Sequence, residues 1–322
     1  MKTNNLFRIA LFAASITLFA VACKKDNQSS TGSTSANEQT AADDQTMVSE
    51  QDESTNNDAE AALSSSASIS GASLISQPKS GGTVLGGNDL ISLCGSTISY
   101  DTTSDTKSMT ITYDSADCFG KNTRTGTIKI SIPKGVHWRD AGATVTLDVN
   151  IKITRKSDGK SITIQGTKSI VNTSGGLLVD LATSDSIVHE ITAQWTVTFN
   201  NGTTRTWNVA KHRVFTYVNG IVITTTNGLN SSYAESGTNR FGVNFTSSIT
   251  APKVIAQSCD FRLTSGQNTI TRGDNITAIV TYGLDASGNA TSCPGAGAAY
   301  YAKLDWSNSA TGKSYSLLFQ YW

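Results

Sequence analysis

Thr144-Val-Thr-Leu-Asp-Val-Asn-Ile-Lys-Ile-Thr154 is the stretch on which the fold turns. Val145, Leu147, Val149, Ile151 and Ile153 fall on one parity, while Thr, Asp, Asn and Lys fill the other. Successive strand residues point to opposite faces, so this alternation describes a strand with one buried and one wet face. Threonine on the wet face keeps strand propensity without adding much apolar surface. The pattern recurs at Met109, Ile111 and Tyr113, at Ile128, Ile130 and Ile132, and at Ala193, Trp195, Val197 and Phe199. It returns at Phe241, Val243 and Phe245, and at Ile276, Ala278, Val280 and Tyr282. Half-buried strands of this kind belong to antiparallel sheets.

Turn signals divide these runs: Asp158-Gly159, Asn201-Gly202, Asn219-Gly220 and Asn227-Gly228 are hairpin dipeptides. Only 4 prolines occur, so few strand interiors are interrupted. No helical period of useful length follows the N-terminal segment. The chain therefore reads as all-β: an antiparallel meander of long hairpins, closing as a sandwich or as a curved, extended sheet. One register can be written out. A three-residue Asn200-Asn201-Gly202 loop, with Gly202 left-handed, sets Trp195 opposite Trp207. A two-residue turn would slip the pairing and send Trp207 to the other face.

The N-terminus reads differently. Ile9 to Val21 carries no charge, lies between Lys2 and Arg8 on one side and Cys23 on the other, and is too short to span a bilayer. Small residues at Ala20 and Ala22 suit cleavage before Cys23, the arrangement of a bacterial lipoprotein signal over residues 1–22. Cys23 is then the lipidation site, and the membrane is a partner through that lipid. Lys24, Lys25 and Asp26 follow, which favours export to the cell surface of the outer membrane; the periplasmic leaflet is the alternative.

Residues 23–85 are rich in Ser, Thr, Asn, Gln and acids, with a net charge of about −6 after Cys23. Such a composition offers little apolar surface to offset chain entropy, so it predicts a disordered acidic tether. Residues 86–322 form the β domain, with a net charge of about +4. That charge is too mild to argue for nucleic acid.

With Cys23 set aside, Cys94, Cys118, Cys259 and Cys293 remain. An even number outside the cytoplasm predicts disulfides, with three possible connectivities. Cys94–Cys118 and Cys259–Cys293 are preferred, because each pair brackets a similar strand-containing unit. Each closed loop adds roughly 3–4 kcal/mol in the chain-entropy model. The CxxC spacing usual for a zinc site is absent.

Several segments together resemble a family of secreted lipoproteins from Bacteroidota. They are Cys118 with Arg124-Thr-Gly126-Thr-Ile128, then Gly166-Thr-Lys168, then Asn201-Gly202-Thr203 with Trp207. Gly237-Thr-Asn239-Arg-Phe-Gly242, Cys259, Tyr282-Gly283 and Cys293 complete the set, over most of residues 90–305. Similar proteins often carry a Gly-Asp-Gly turn before the last cysteine, where this chain has Asp285-Ala-Ser-Gly288-Asn289. The resemblance implies location and fold, and no activity.

Catalytic signals are scarce. His137, His189 and His212 show no metal-ligand spacing, and there is no His-Glu-x-x-His or Gly-x-Ser-x-Gly motif. His137-Trp-Arg-Asp140 reads as a loop between strands. His189 and Glu190 are strand neighbours that point apart. His212, between Lys211 and Arg213, reads as lying on a solvated strand. Asp285 to Asn289 lacks the downstream Glu of a calcium loop and reads as a turn. Asp114-Ser115-Ala116 and Asp185-Ser186-Ile187 fit a short O-glycosylation pattern. No catalytic residue, metal or cofactor is assigned. Trp195 with Trp207, and Tyr300 with Tyr301, are candidate platforms for stacking on sugar rings; Tyr321 and Trp322 are a third pair. The aromatic C-terminus is also reminiscent of outer-membrane barrels, against which the lipid signal, the tether and the Thr-rich wet faces argue.

The expected function is that of a lipid-anchored envelope protein with a non-catalytic β domain in a binding or structural role, its partner a glycan or an envelope protein. A surface glycan-binding lipoprotein of a polysaccharide-uptake system is the first alternative. A carboxylate-dependent hydrolase is the second.

Overall fold

In the computed structural model the described residues are 31–72, 93, 95–117, 120–219, 221–231, 233–259, 262–291 and 300–320. They form a 14-stranded antiparallel sheet and one long helix. The strands are β1 (Ser96–Asp101), β2 (Thr106–Tyr113), β3 (Asn122–Pro133), β4 (Ala143–Arg155), β5 (Ser161–Asn172), β6 (Ile187–Phe199) and β7 (Thr204–Val218). They continue as β8 (Ile221–Gly228), β9 (Glu235–Thr238), β10 (Asn244–Ala256), β11 (Arg262–Arg272), β12 (Ile276–Leu284), β13 (Tyr301–Asn308) and β14 (Lys313–Gln320). Each strand lies beside its sequence neighbour, with one exception. Between β7 and β10 a single strand position is shared, β8 filling one half and β9 the other.

The diagnostic stretch is β4, whose Val145, Leu147, Val149, Ile151 and Ile153 are all buried while Thr144, Thr146, Asp148, Asn150 and Lys152 are exposed. The Trp hairpin also follows the expected register. Trp195 pairs with Trp207, the Gly202 N–H donates to the Phe199 carbonyl, and Gly202 has φ 81°. The architecture is one curved sheet rather than a two-sheet sandwich.

Curvature is helped by glycines inside strands. Gly126 and Gly166 take positive φ, and a Cβ on either would lie 2.2 Å from the Asn150 carbonyl oxygen or 2.1 Å from that of Gln194. Only glycine allows the neighbouring strand so close, and such sites let a sheet bend.

The main difference from the sequence reading is α1 (Thr31–Ser64), followed by the short α2 (Ala67–Ser70). Residues 31–72 of the expected disordered tether are folded against the sheet; residues 23–30 and 73–85 lie outside the described residues. The folded unit therefore includes residues well before 86. Residues 44–49 are buried without interruption, so the helix is covered on all sides. It has no solvated face, and so no amphipathic period. Its composition alone would not fold, because apolar burial is too small. What holds it is the surrounding wall, whose cations meet its acids and whose apolar side chains form one core with Met47, Val48, Ala59, Ala62 and Leu63.

Candidate functional site

The inward parity of the strands lines a lumen around α1, and several of those inward residues are cations. On β7 they are Arg205, Lys211 and Arg213, sharing the buried parity with Trp207, Val209 and Phe215. On β5, Lys168 shares it with Ile164 and Ile170. His212 points the other way, so the strand reading holds for it. The two basic neighbours, expected to be solvated, are instead buried.

The contacts run in order along the helix. Near its start, Glu38 pairs with Arg272 at 2.5 Å. Asp43 accepts from Arg155 at 2.8 and 2.9 Å and from Lys160 at 2.8 Å. Asp44 accepts from Arg240 at 2.6 Å, whose guanidinium lies 3.6 Å from the centre of the Phe199 ring. Gln45 bridges Arg205 and Glu235. Lys253 donates to the Ser49 hydroxyl at 3.0 Å.

Asp52 is the centre of the site. Its two carboxylate oxygens accept from Lys168 and Lys211, each at 2.6 Å, and all three side chains are fully buried. Lys168 donates also to Asn56 at 2.7 Å, and Lys211 approaches Glu235 at 3.1 Å. Burial alone would raise the Asp52 carboxyl, but the two ammonium groups override it and hold it well below the usual carboxylate range. For Lys211, burial opposes the charge, while Asp52 and Glu235 prevail and raise it. Lys168 is lowered, since burial outweighs its single full carboxylate partner.

Further along, Arg213 meets Asn57 at 2.7 Å and Glu53 at 3.6 Å. Asp58 accepts from Arg124 and from the Tyr113 hydroxyl, both at 2.6 Å. Glu60 lies 3.3 Å from the Trp138 indole nitrogen and 3.2 Å from His189 Nδ1. Burial pushes the Glu60 carboxyl up to about 7 and the His189 imidazole down to about 3, with Arg213 adding to the latter. The Glu60 carboxyl therefore keeps its proton below about 7, against an imidazole that is neutral above about 3. At the far end Lys107 donates to the Ser68 and Val136 carbonyls at 2.8 Å, and the Trp138 N–H donates to the Ile69 carbonyl at 2.8 Å. These bonds fix α2 to the loop after β3.

Trp195 and Trp207 come together as expected, edge to face with centroids 5.3 Å apart. They lie inside the lumen, 3% and 0% exposed. There the Trp195 ring receives Lys168 Nζ at 4.6 Å, and Lys211 Nζ lies 5.6 Å from the Trp207 ring. Tyr300 is buried and Tyr301 half-buried on β13, apart from the tryptophans; Tyr321 and Trp322 lie outside the described residues. Cys259 is buried, while Cys23, Cys94, Cys118 and Cys293 lie outside the described residues. Asp285 forms the expected turn, its carboxylate accepting from the Ser287 and Asn289 N–H groups at 2.8 and 2.9 Å. Among the described residues no group of His, Cys, Asp or Glu is arranged to hold a metal, and no helix is long and apolar enough to cross a membrane.

Comparison of the chain with protein-family models, with curated proteins and with solved structures finds no match.

Sequence reasoning missed the wall cations and their helix partners. The available signal was parity: a Lys or Arg on the apolar side of an alternating strand must meet an anion inside.

Proposed function

We propose that this is a lipid-anchored envelope protein whose β domain acts by binding or as structure, not by catalysis. The observation that carries the reading is the filled interior. Asp52 and Glu60 on the inserted helix and Glu235 on the wall, which would be candidate acids for a hydrolase, are buried at the helix–wall contact and engaged by Lys211, Lys168, Trp138 or His189. A substrate has no approach to them while the helix is seated. The glycan-binding alternative needs exposed aromatic platforms, and burial of Trp195, Trp207 and Tyr300 removes three of its candidates.

Anchoring rests on Cys23 and the apolar run before it. The folded helix changes what that anchor does. Seven residues, 24–30, separate Cys23 from Thr31. At full extension they reach about 25 Å. The rim formed by the turns at residues 156–160, 200–203, 239–243 and 273–275, where the start of α1 emerges, is thus held close to the bilayer. The long spacer of the sequence reading becomes a short one. We also propose the pairings Cys94–Cys118 and Cys259–Cys293. The first is supported by the Asp114 N–H, which donates to the Gly95 carbonyl at 3.2 Å and brings the two flanks together.

Protease shaving of intact cells, with mass spectrometry of retained fragments, tests the reading. An acylated Cys23 peptide in the membrane fraction supports it. A soluble mature protein with an unmodified Cys23 refutes the anchor. Release of the domain from intact cells assigns the surface, and protection until lysis assigns the periplasmic face. A purified domain that cleaves a glycan or peptide, with loss on one side-chain change, refutes the non-catalytic role.

A further inference from the structure

We propose that the lumen is a binding site for an acidic, helical polypeptide, that α1 is its occupant in cis, and that α1 of a second copy of this chain can replace it. The inference does not depend on the lipid anchor, so either can fail alone.

Three observations support it. The first is that the wall is complete without the helix. The ladder runs unbroken from β1 to β14 with strand partners only, and α1 contributes no strand to it. The second is a way in. Among the described residues β1 and β14 each pair with one neighbour and not with each other, which leaves a seam along the sheet. A helix can pass such a seam without breaking a backbone ladder.

The third is chemical. The wall recognises carboxylates: Lys168 and Lys211 take Asp52, and Arg124 takes Asp58. It also offers donors that α1 does not use. Arg124 Nε, Arg205 Nε, Arg213 Nε and the indole nitrogens of Trp195 and Trp207 are buried and unpartnered. The occupant is a helix because the cations meet carboxylates spaced along one helical axis, from Glu38 to Asp58. Residues 73–92 join α1 and α2 to the sheet. Twenty residues reach about 65 Å, enough for the helix of one copy to enter the lumen of another, an exchange of identical elements.

The test uses the mature chain with a protease site inserted within residues 73–92. After cleavage, a fluorescent peptide of residues 31–72 is added and followed by anisotropy, with mass spectrometry of the displaced segment. The expected result is saturable uptake of the peptide and stoichiometric release of the original segment. A peptide carrying Asp52→Asn should bind on the order of 100-fold more weakly, since it leaves buried Lys168 without a carboxylate. Retention of the cleaved segment until the sheet itself unfolds would overturn the proposal, as would unfolding on cleavage. Equal binding of the D52N peptide would overturn the assigned chemistry. Equal displacement by polyglutamate or a sulfated glycan would overturn the helical polypeptide as the ligand class.

Discussion

Replacing Asp52 by Asn should destabilise the folded chain by about 3–4 kcal/mol. Asp52 has one oxygen on Lys168 and the other on Lys211, at 2.6 Å each, with no exposure. Asn is nearly isosteric and keeps one acceptor, but it removes the charge that offsets two buried ammonium groups. Lys211 retains Glu235 at 3.1 Å and so remains neutralised. Lys168 retains only neutral partners, Asn56 at 2.7 Å and the residue 52 carbonyl at 3.3 Å. The loss is therefore that of one uncompensated buried charge, at the range for breaking a buried pair. Against a total of about 5–15 kcal/mol this is large, and urea unfolding followed by tryptophan fluorescence reads it directly. The double variant D52N/K168M removes the stranded charge as well, and should recover at least half of the loss. A D52N loss below about 1 kcal/mol, or a double variant weaker than D52N, would refute the reasoning.

Gly166→Ala forces a Cβ to within 2.1 Å of the Gln194 carbonyl oxygen at φ 141°; it should cost about 2–3 kcal/mol in the same unfolding assay, whereas Gly202→Ala, with open space around it, should cost less. Glu60, ordinarily near 4.5 and pushed up to about 7 by burial, binds a proton in the folded chain that the unfolded chain has released. Its contribution is thus fully present below about 4.5 and lost as pH rises through 7, so this carboxyl should lower stability progressively between about pH 4.5 and 8, by about 3 kcal/mol in all. Glu60→Gln should flatten that part of the curve, and an unchanged curve would count against the buried carboxyl. His189, held neutral down to about 3, acts in the opposite sense: below 6.5 the unfolded chain gains a proton that the folded chain refuses, and stability falls with pH. His189→Phe should remove that acid-side loss. Trp195 and Trp207 should resist iodide quenching in the folded chain and become accessible in urea.

The strands were legible because one rule governs them. Val145 to Ile153 alternate since one face of β4 meets the interior and the other meets water. The Trp195–Trp207 register followed from three turn residues, because loop length fixes pairing. The helix was not legible for the converse reason. A helix covered on every side has no wet face to generate a 3.6-residue period, and α1 buries acids beside apolar residues such as Val48 and Leu63 instead of presenting one apolar stripe. Its composition is that of a chain that stays unfolded alone, and the partner that changes this lies more than a hundred residues away in sequence, as Asp52 lies from Lys168 and Lys211. The opposite net charges of residues 24–85 and 86–322 were visible, but as a sum they look mild. They become informative only when parity assigns Lys168, Arg205, Lys211 and Arg213 to the buried face. Trp195 and Trp207 were paired by sequence, and their burial beside Lys168 and Lys211 makes them part of the wall rather than an exposed platform for a sugar.

Hydrogen exchange of the mature chain, read by mass spectrometry on peptides covering residues 38–64, tests the central claim most directly. If α1 fills the lumen, amides 44–63 exchange orders of magnitude more slowly in native buffer than those of an unstructured chain. If those amides exchange within seconds in native buffer while β4 to β7 stay protected, the segment is a tether and the account of the lumen is wrong.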